Sequence, residues 1–189
     1  MRVAIVPVIL LLALAGCAPT GGAPGTSFSA SSTIDATPTP PPTADTPLEP
    51  CADGTITPQV NDAEGAAGHL NYQVEFVNSG PQCTLEGFPQ VAVLGNGNGT
   101  QFGVVAEQMS EVLAEPVVLA EGASAYAWLE AVNIDPGGGP LGADCAVDYG
   151  DGWNIYVPGA IEPTFVPANG VPACTSGLPW MRIGPISES

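Results

Sequence analysis

The sequence predicts an all-β protein, an antiparallel immunoglobulin-like β-sandwich of about seven or eight short strands that follows a disordered tether. Three observations lead there. Leu70-Asn71-Tyr72-Gln73-Val74-Glu75-Phe76 alternates strictly, which puts Leu70, Tyr72, Val74 and Phe76 on one face of a half-buried strand. Further short apolar runs follow, each set off by turn residues. Only Ala106 to Ala114 offers a helical turn or two.

Taken in order, residues 1–16 read as a lipoprotein signal peptide. Met1-Arg2 gives a basic start, the apolar stretch runs from Val3 to Leu14, and small residues Ala15-Gly16 follow. That stretch is too short to span a bilayer, which takes about 20 apolar residues. Leu14-Ala15-Gly16-Cys17 closely resembles the lipobox of bacterial lipoproteins. The resemblance implies cleavage before Cys17, a thioether-linked diacylglycerol on its sulfur, and acylation of the new amine, with palmitate as the expected kind of chain. Several acyl chains, at about 0.8 kcal/mol per buried CH₂, exceed what stable anchoring requires. The chain is therefore expected on the outer face of the cytoplasmic membrane, in the cell envelope.

Residues 17–50 read as the lipidated Cys and a disordered tether. Gly21-Gly22, a Ser/Thr cluster from Thr26 to Thr33, and Thr37-Pro38-Thr39-Pro40-Pro41-Pro42-Thr43 cannot bury enough apolar surface to offset ordering entropy. At about 3.1 Å per residue such a segment reaches up to about 100 Å. Its Thr-Pro pattern also suits O-linked sugars.

Residues 51–189 form the expected domain. After Leu70–Phe76 come Val91-Ala92-Val93-Leu94 and Phe102-Gly103-Val104-Val105, joined through Gly95-Asn96-Gly97-Asn98-Gly99 as a hairpin whose Asn-Gly pairs supply positive φ. Pro116–Leu119 and Ala123–Leu129 are the next strands, split by Glu121-Gly122. Trp153–Val157 follows a Gly-rich loop, and Trp180–Ile183 closes the sheet. Asn98-Gly99-Thr100 matches a glycosylation sequon but reads more simply as the hairpin turn.

With Cys17 set aside, Cys51, Cys83, Cys145 and Cys174 remain, an even number suited to an oxidising compartment. Four cysteines allow three pairings. Chain order favours Cys51–Cys83 and Cys145–Cys174, each worth about 3–4 kcal/mol by loop closure.

Composition excludes several functions. Nineteen Asp plus Glu stand against two Arg and no Lys, a net charge of −17. Nothing here neutralises a run of phosphates, so nucleic acid is excluded as a partner. Without Lys there is no Schiff base and no Lys-dependent phosphate loop. His69 is the only imidazole, too few for a site with two His ligands. No Gly-x-Ser-x-Gly elbow occurs, since Gly122-Ala123-Ser124-Ala125-Tyr126 fails at its last position. His69 therefore reads as a capping or hydrogen-bonding residue. Asp144, Asp148 and Asp151, beside Gly150 and Gly152, are the candidate Ca²⁺ ligands, although the run lacks the ligand spacing of an EF-hand. The simpler reading is a solvated acidic loop pinned by Cys145. No cofactor is expected.

Gly65-Ala66-Ala67-Gly68-His69, the strand end Phe76-Val77-Asn78, and Cys83-Thr84-Leu85-Glu86-Gly87-Phe88-Pro89-Gln90-Val91 form a series. It resembles the actinobacterial extracytoplasmic family catalogued as domain of unknown function 4232. The resemblance runs from about Cys51 to Gly184 and implies an exported or lipid-anchored β-sandwich with no established activity. Within the third element, Cys83 tethers a turn, Leu85 and Phe88 suit a core, Gly87 permits a tight bend and Pro89 fixes the start of the next strand.

Together these readings lead to the expectation of a lipid-anchored, non-enzymatic module that binds an unknown envelope protein or small ligand. An accessory solute- or calcium-binding lipoprotein is the alternative. A carboxylate-dependent envelope hydrolase is third, and no motif supports it.

Overall fold

The structure, a computed structural model, describes residues 47–188. The leader, Cys17 and the tether as far as residue 46 lie outside the described residues. Twelve strands occur in chain order. The first six are β1 (Ile56–Val60), β2 (Glu64–Ala66), β3 (His69–Asn78), β4 (Cys83–Leu85), β5 (Gln90–Gly95) and β6 (Thr100–Phe102). The rest are β7 (Glu107–Gln108), β8 (Val117–Leu119), β9 (Ser124–Val132), β10 (Val147–Tyr156), β11 (Thr164–Cys174) and β12 (Met181–Ile183). A short 3-10 turn, Gly139–Asp144, precedes β10. Among the described residues no helix is long and apolar enough to cross a membrane.

One sheet runs β1-β3-β9-β12-β7, with β2 paired to the start of β3, and the other runs β11-β10-β5-β6. β4 and β8 form a separate ribbon. The strand pairings are antiparallel except β12–β7. This is the expected all-β sandwich, and β3, an interior strand of the larger sheet, is the one whose alternation is clearest in the sequence. Val74 and Phe76 of β3 are fully buried, as are Val91, Val93, Trp153 and Ile155 from the other sheet. Between the layers the Tyr72 ring meets Trp153 edge-on, with centroids 4.9 Å apart. Each such side chain contributes about 1.5–3 kcal/mol through burial. Burial also pushes the Tyr72 phenol above its ordinary pKa.

Four segments differ from the sequence reading. Ala106–Ala114 is not helical. Glu107–Gln108 pairs in parallel with β12, and Met109 N–H donates to the Ile183 carbonyl at 2.9 Å. A nonapeptide nucleates helix poorly, and here an open sheet edge offers its backbone partners. Thr164–Cys174, not anticipated as a strand, is the longest one. Its Pro167 and Pro172 disguise it, yet both are tolerated because β11 lies at a sheet edge.

The acidic loop expected over Asp144–Asp151 is mostly strand. β10 begins at Val147, and a register shift between Gly150 and Gly152 takes up Asp151. Pairing also starts before the expected domain boundary. Cys51 N–H donates to the Thr84 carbonyl and Thr84 N–H to the Glu49 carbonyl, both at 2.9 Å. The last tether residues are thereby laid along β4.

Candidate functional site

The cysteines pair in chain order, Cys51 with Cys83 and Cys145 with Cys174, with Cα atoms 4.8 and 5.2 Å apart. The first bridge fixes the point where the tether joins the sandwich. The second ties the start of β10 to the end of β11, beside the Val147–Cys174 register pair. Cys83, Cys145 and Cys174 are buried, so these sulfurs serve as structural links.

The three aspartates singled out for Ca²⁺ do not converge. A carboxylate oxygen of Asp151 accepts the Gly97 N–H at 2.7 Å and so pins the β5–β6 hairpin against the β10 bulge. Asp148 accepts the N–H of its neighbour Tyr149 at 2.8 Å. Asp144 ends the 3-10 turn, and its carbonyl accepts the Ser176 hydroxyl at 2.7 Å. Among the described residues no three His, Cys, Asp or Glu side chains are placed to hold a metal ion.

Charge gathers instead on the outer face of the six-stranded sheet. Asn71 pairs with Glu130, Glu130 with Arg182, and Arg182 with Glu107, so these four form one row across β3, β9, β12 and β7. Directly paired residues share a face, which places Arg182 between two carboxylates. Its ion pair is with a third, Glu111. A backbone hydrogen bond and then the Arg182 guanidinium hold the Glu111 carboxyl below its ordinary pKa, while Glu111 holds Arg182 above its own. Both side chains are exposed, so the pair adds little stability.

Beside this row His69 opens β3 opposite Val132. Its Nδ1 lies 3.5 Å from a Glu130 carboxylate oxygen and makes no hydrogen bond with the described residues. Trp180 is 96% buried, and its indole N–H also lacks an acceptor among the described residues. His69, Glu107, Glu130, Trp180 and Arg182 border a recess of about 130 Å³. An imidazole beside a carboxylate has the parts of a general base, but no Ser, Thr or Cys lines the recess for it to activate. The arrangement suits polar contact with a ligand better than acyl or phosphoryl transfer.

Of these residues, His69 is weighed for chemistry from the sequence alone; Trp180 and Arg182 are placed in the last strand, and neither they nor Glu130 are given a site role. One signal was available: Arg182 is the only basic residue beyond Arg2. The motif residues around His69 and Cys83 act structurally. Ala67 and Gly68 supply the positive φ of the β2–β3 turn, and Leu85 is buried beside the first disulfide. Asn78, the buried polar side chain of the core, donates from Nδ2 to the carbonyls of Pro81, Leu119 and Ala120 at 3.0–3.2 Å.

No curated protein and no solved structure matches the chain. Residues 51–187, from the first disulfide cysteine to the last paired residue of the sandwich, match the family described as a domain of unknown function (DUF4232), and the chain belongs to that family.

Proposed function

We propose that this chain is a lipid-anchored, extracytoplasmic binding module without catalytic activity, held at one end of its sandwich and presenting sheet faces and the opposite end to the envelope. The observation that carries this reading is where the tether joins. Glu49–Cys51 runs along β4, and Cys51 is bonded to Cys83. Ser79 N–H donates to the Thr55 carbonyl, so the start of β1 sits at the far end of β3 from His69. The ten residues of β3, at about 3.4 Å each, span about 30 Å. Within the domain, the incoming residues Glu49–Cys51 therefore lie toward the end of β3 opposite the His69–Arg182 recess.

The lipobox-like Leu14–Cys17 and the Pro/Thr-rich segment support the anchor. A domain this acidic is repelled by an anionic lipid surface, which favours standing off from it. Fractionation of cells expressing Cys17→Ala tests the reading. The variant is expected in the medium and the parent chain with membranes; a Cys17→Ala chain that stays membrane-bound would contradict it.

A further inference from the structure

We propose that the outer face of the four-stranded sheet binds a neutral, hydroxyl-rich glycan. β5, β6 and β11 contain no charged residue, and β10 contains only Asp148 and Asp151, both before Gly152. In a protein of net charge −17 the strands of this sheet carry charge only at Asp148 and Asp151, whereas Glu64, Glu75, Glu130, Arg182 and Glu107 all sit on strands of the other sheet.

Register defines what the face displays. Trp153 and Ile155 point into the core, so Asn154 and Tyr156 point outward. Asn154 stands opposite Phe165 on one side and Ala92 on the other. Tyr156 stands opposite Gln90, and Gln101 opposite Leu94. Phe165 is 46% exposed. Its ring lies over Gly152, where an added Cβ would come within 2.8 Å of the ring. Phe165 thereby covers Gly152, and beside it Gln90, Ala92, Gln101, Asn154 and Tyr156 border a shallow dip of about 30 Å³ in the sheet face. A separate recess of about 410 Å³ lies between Phe165, Leu94, Asp151 and the glycines of the β5–β6 hairpin.

Gln90, Asn154 and Tyr156 make no side-chain hydrogen bond within the described residues, and Gln101 spends one donor on the Gly103 carbonyl at 3.0 Å. These free groups decide the occupant. An apolar protein surface laid here would bury unpaired amides, which is costly. A polyanion is repelled by the domain, and a polycation finds its carboxylates on the other sheet. A neutral saccharide meets every requirement: its hydroxyls donate and accept, and the C–H faces of its rings stack on Phe165 and Tyr156. Glycan binding presupposes the binding module proposed above. A protein partner captured on the six-stranded sheet would leave that module standing and remove the glycan.

The test is a titration of the full-length chain, followed by NMR and calorimetry, with neutral oligosaccharides of glucose, mannose, galactose and arabinose at millimolar concentration. Hyaluronan fragments serve as the acidic control. The expected result is binding of at least one neutral probe, insensitive to added salt, with shifts confined to β5, β6, β10 and β11. Phe165→Ala and Asn154→Ala should each weaken it by about tenfold or more, and Trp128→Ala, on the other sheet, should leave it unchanged. Asn154→Ala removes only a partly exposed amide, so it covers the case in which Phe165→Ala perturbs the fold. Binding of none of the neutral probes, binding that survives both substitutions, or a preference for hyaluronan would overturn the proposal.

Discussion

Replacing Asn78 by Ala removes a polar knot at the end of β3. The side chain has no solvent exposure. Its Oδ1 accepts the Gly80 N–H at 2.9 Å, and its Nδ2 serves the carbonyls of Pro81, Leu119 and Ala120. One residue thereby ties the β3–β4 turn to the β8–β9 connection. Of these bonds, the one to Leu119 is fully buried, so leaving that carbonyl without a donor costs about 1–3 kcal/mol. The Gly80 N–H and the part-buried carbonyls regain some water and add about 1 kcal/mol together. A loss of about 3 kcal/mol is expected, or a fall in Tm of about 10 °C for a domain of this size. Urea denaturation with both disulfides intact measures it as a lower midpoint at unchanged slope. Asn78→Asp should be at least as damaging, because it turns a carboxylate toward three carbonyls. An Asn78→Ala chain within about 0.5 kcal/mol of the parent would refute the reasoning, since that is the scale of an indifferent surface substitution.

Three further outcomes are expected. Cys51→Ala with Cys83→Ala opens a link of sequence separation 32 and should cost about 3–4 kcal/mol in the same denaturation. It should also leave Glu49 and Pro50 more open to proteolysis; equal stability would remove the staple role. Gly103→Ala should destabilise by at least about 1–2 kcal/mol, because Gly103 has φ +66° and an added Cβ would collide with the Cys174 carbonyl. Gly97→Asn, at φ +63° in open space, should be tolerated by thermal melting, and equal effects at the two positions would contradict this. The Glu111 carboxyl has a lowered pKa in the folded chain. Its contribution is therefore present above the unfolded pKa and lost as pH falls through the lower folded value. Arg182→Gln should raise the Glu111 midpoint in an NMR titration without restoring it fully, because the backbone hydrogen bond remains; an unmoved midpoint would show that Arg182 contributes nothing.

Strands whose cues are local were legible in the sequence. Leu70–Phe76 shows its alternation because one face of β3 packs on Trp153 and the other faces solvent. The Asn96-Gly97 turn announces itself through positive φ at both residues. β11 was hidden because Pro167 and Pro172 argue against a strand, and only its place at a sheet edge makes them harmless. Ala106–Ala114 looked helical because its backbone partner, β12, is more than seventy residues away along the chain.

The site was less legible for the same reason. Arg182, Glu130 and Glu107 meet through register between three strands. The row Phe165, Asn154 and Ala92 on the four-stranded sheet needs three others. The Asp144–Asp151 run drew attention by local density, yet strand alternation and the bulge send its carboxylates to different partners.

The anchor at Cys17 is the claim on which the rest of the functional reading depends, and the mass of the N-terminal peptide of the chain extracted from membranes tests it most directly. The expected peptide begins at Cys17 and carries a diacylglyceryl group on its sulfur. A peptide beginning at Met1, or one with an unmodified Cys17, would contradict a lipid-anchored module.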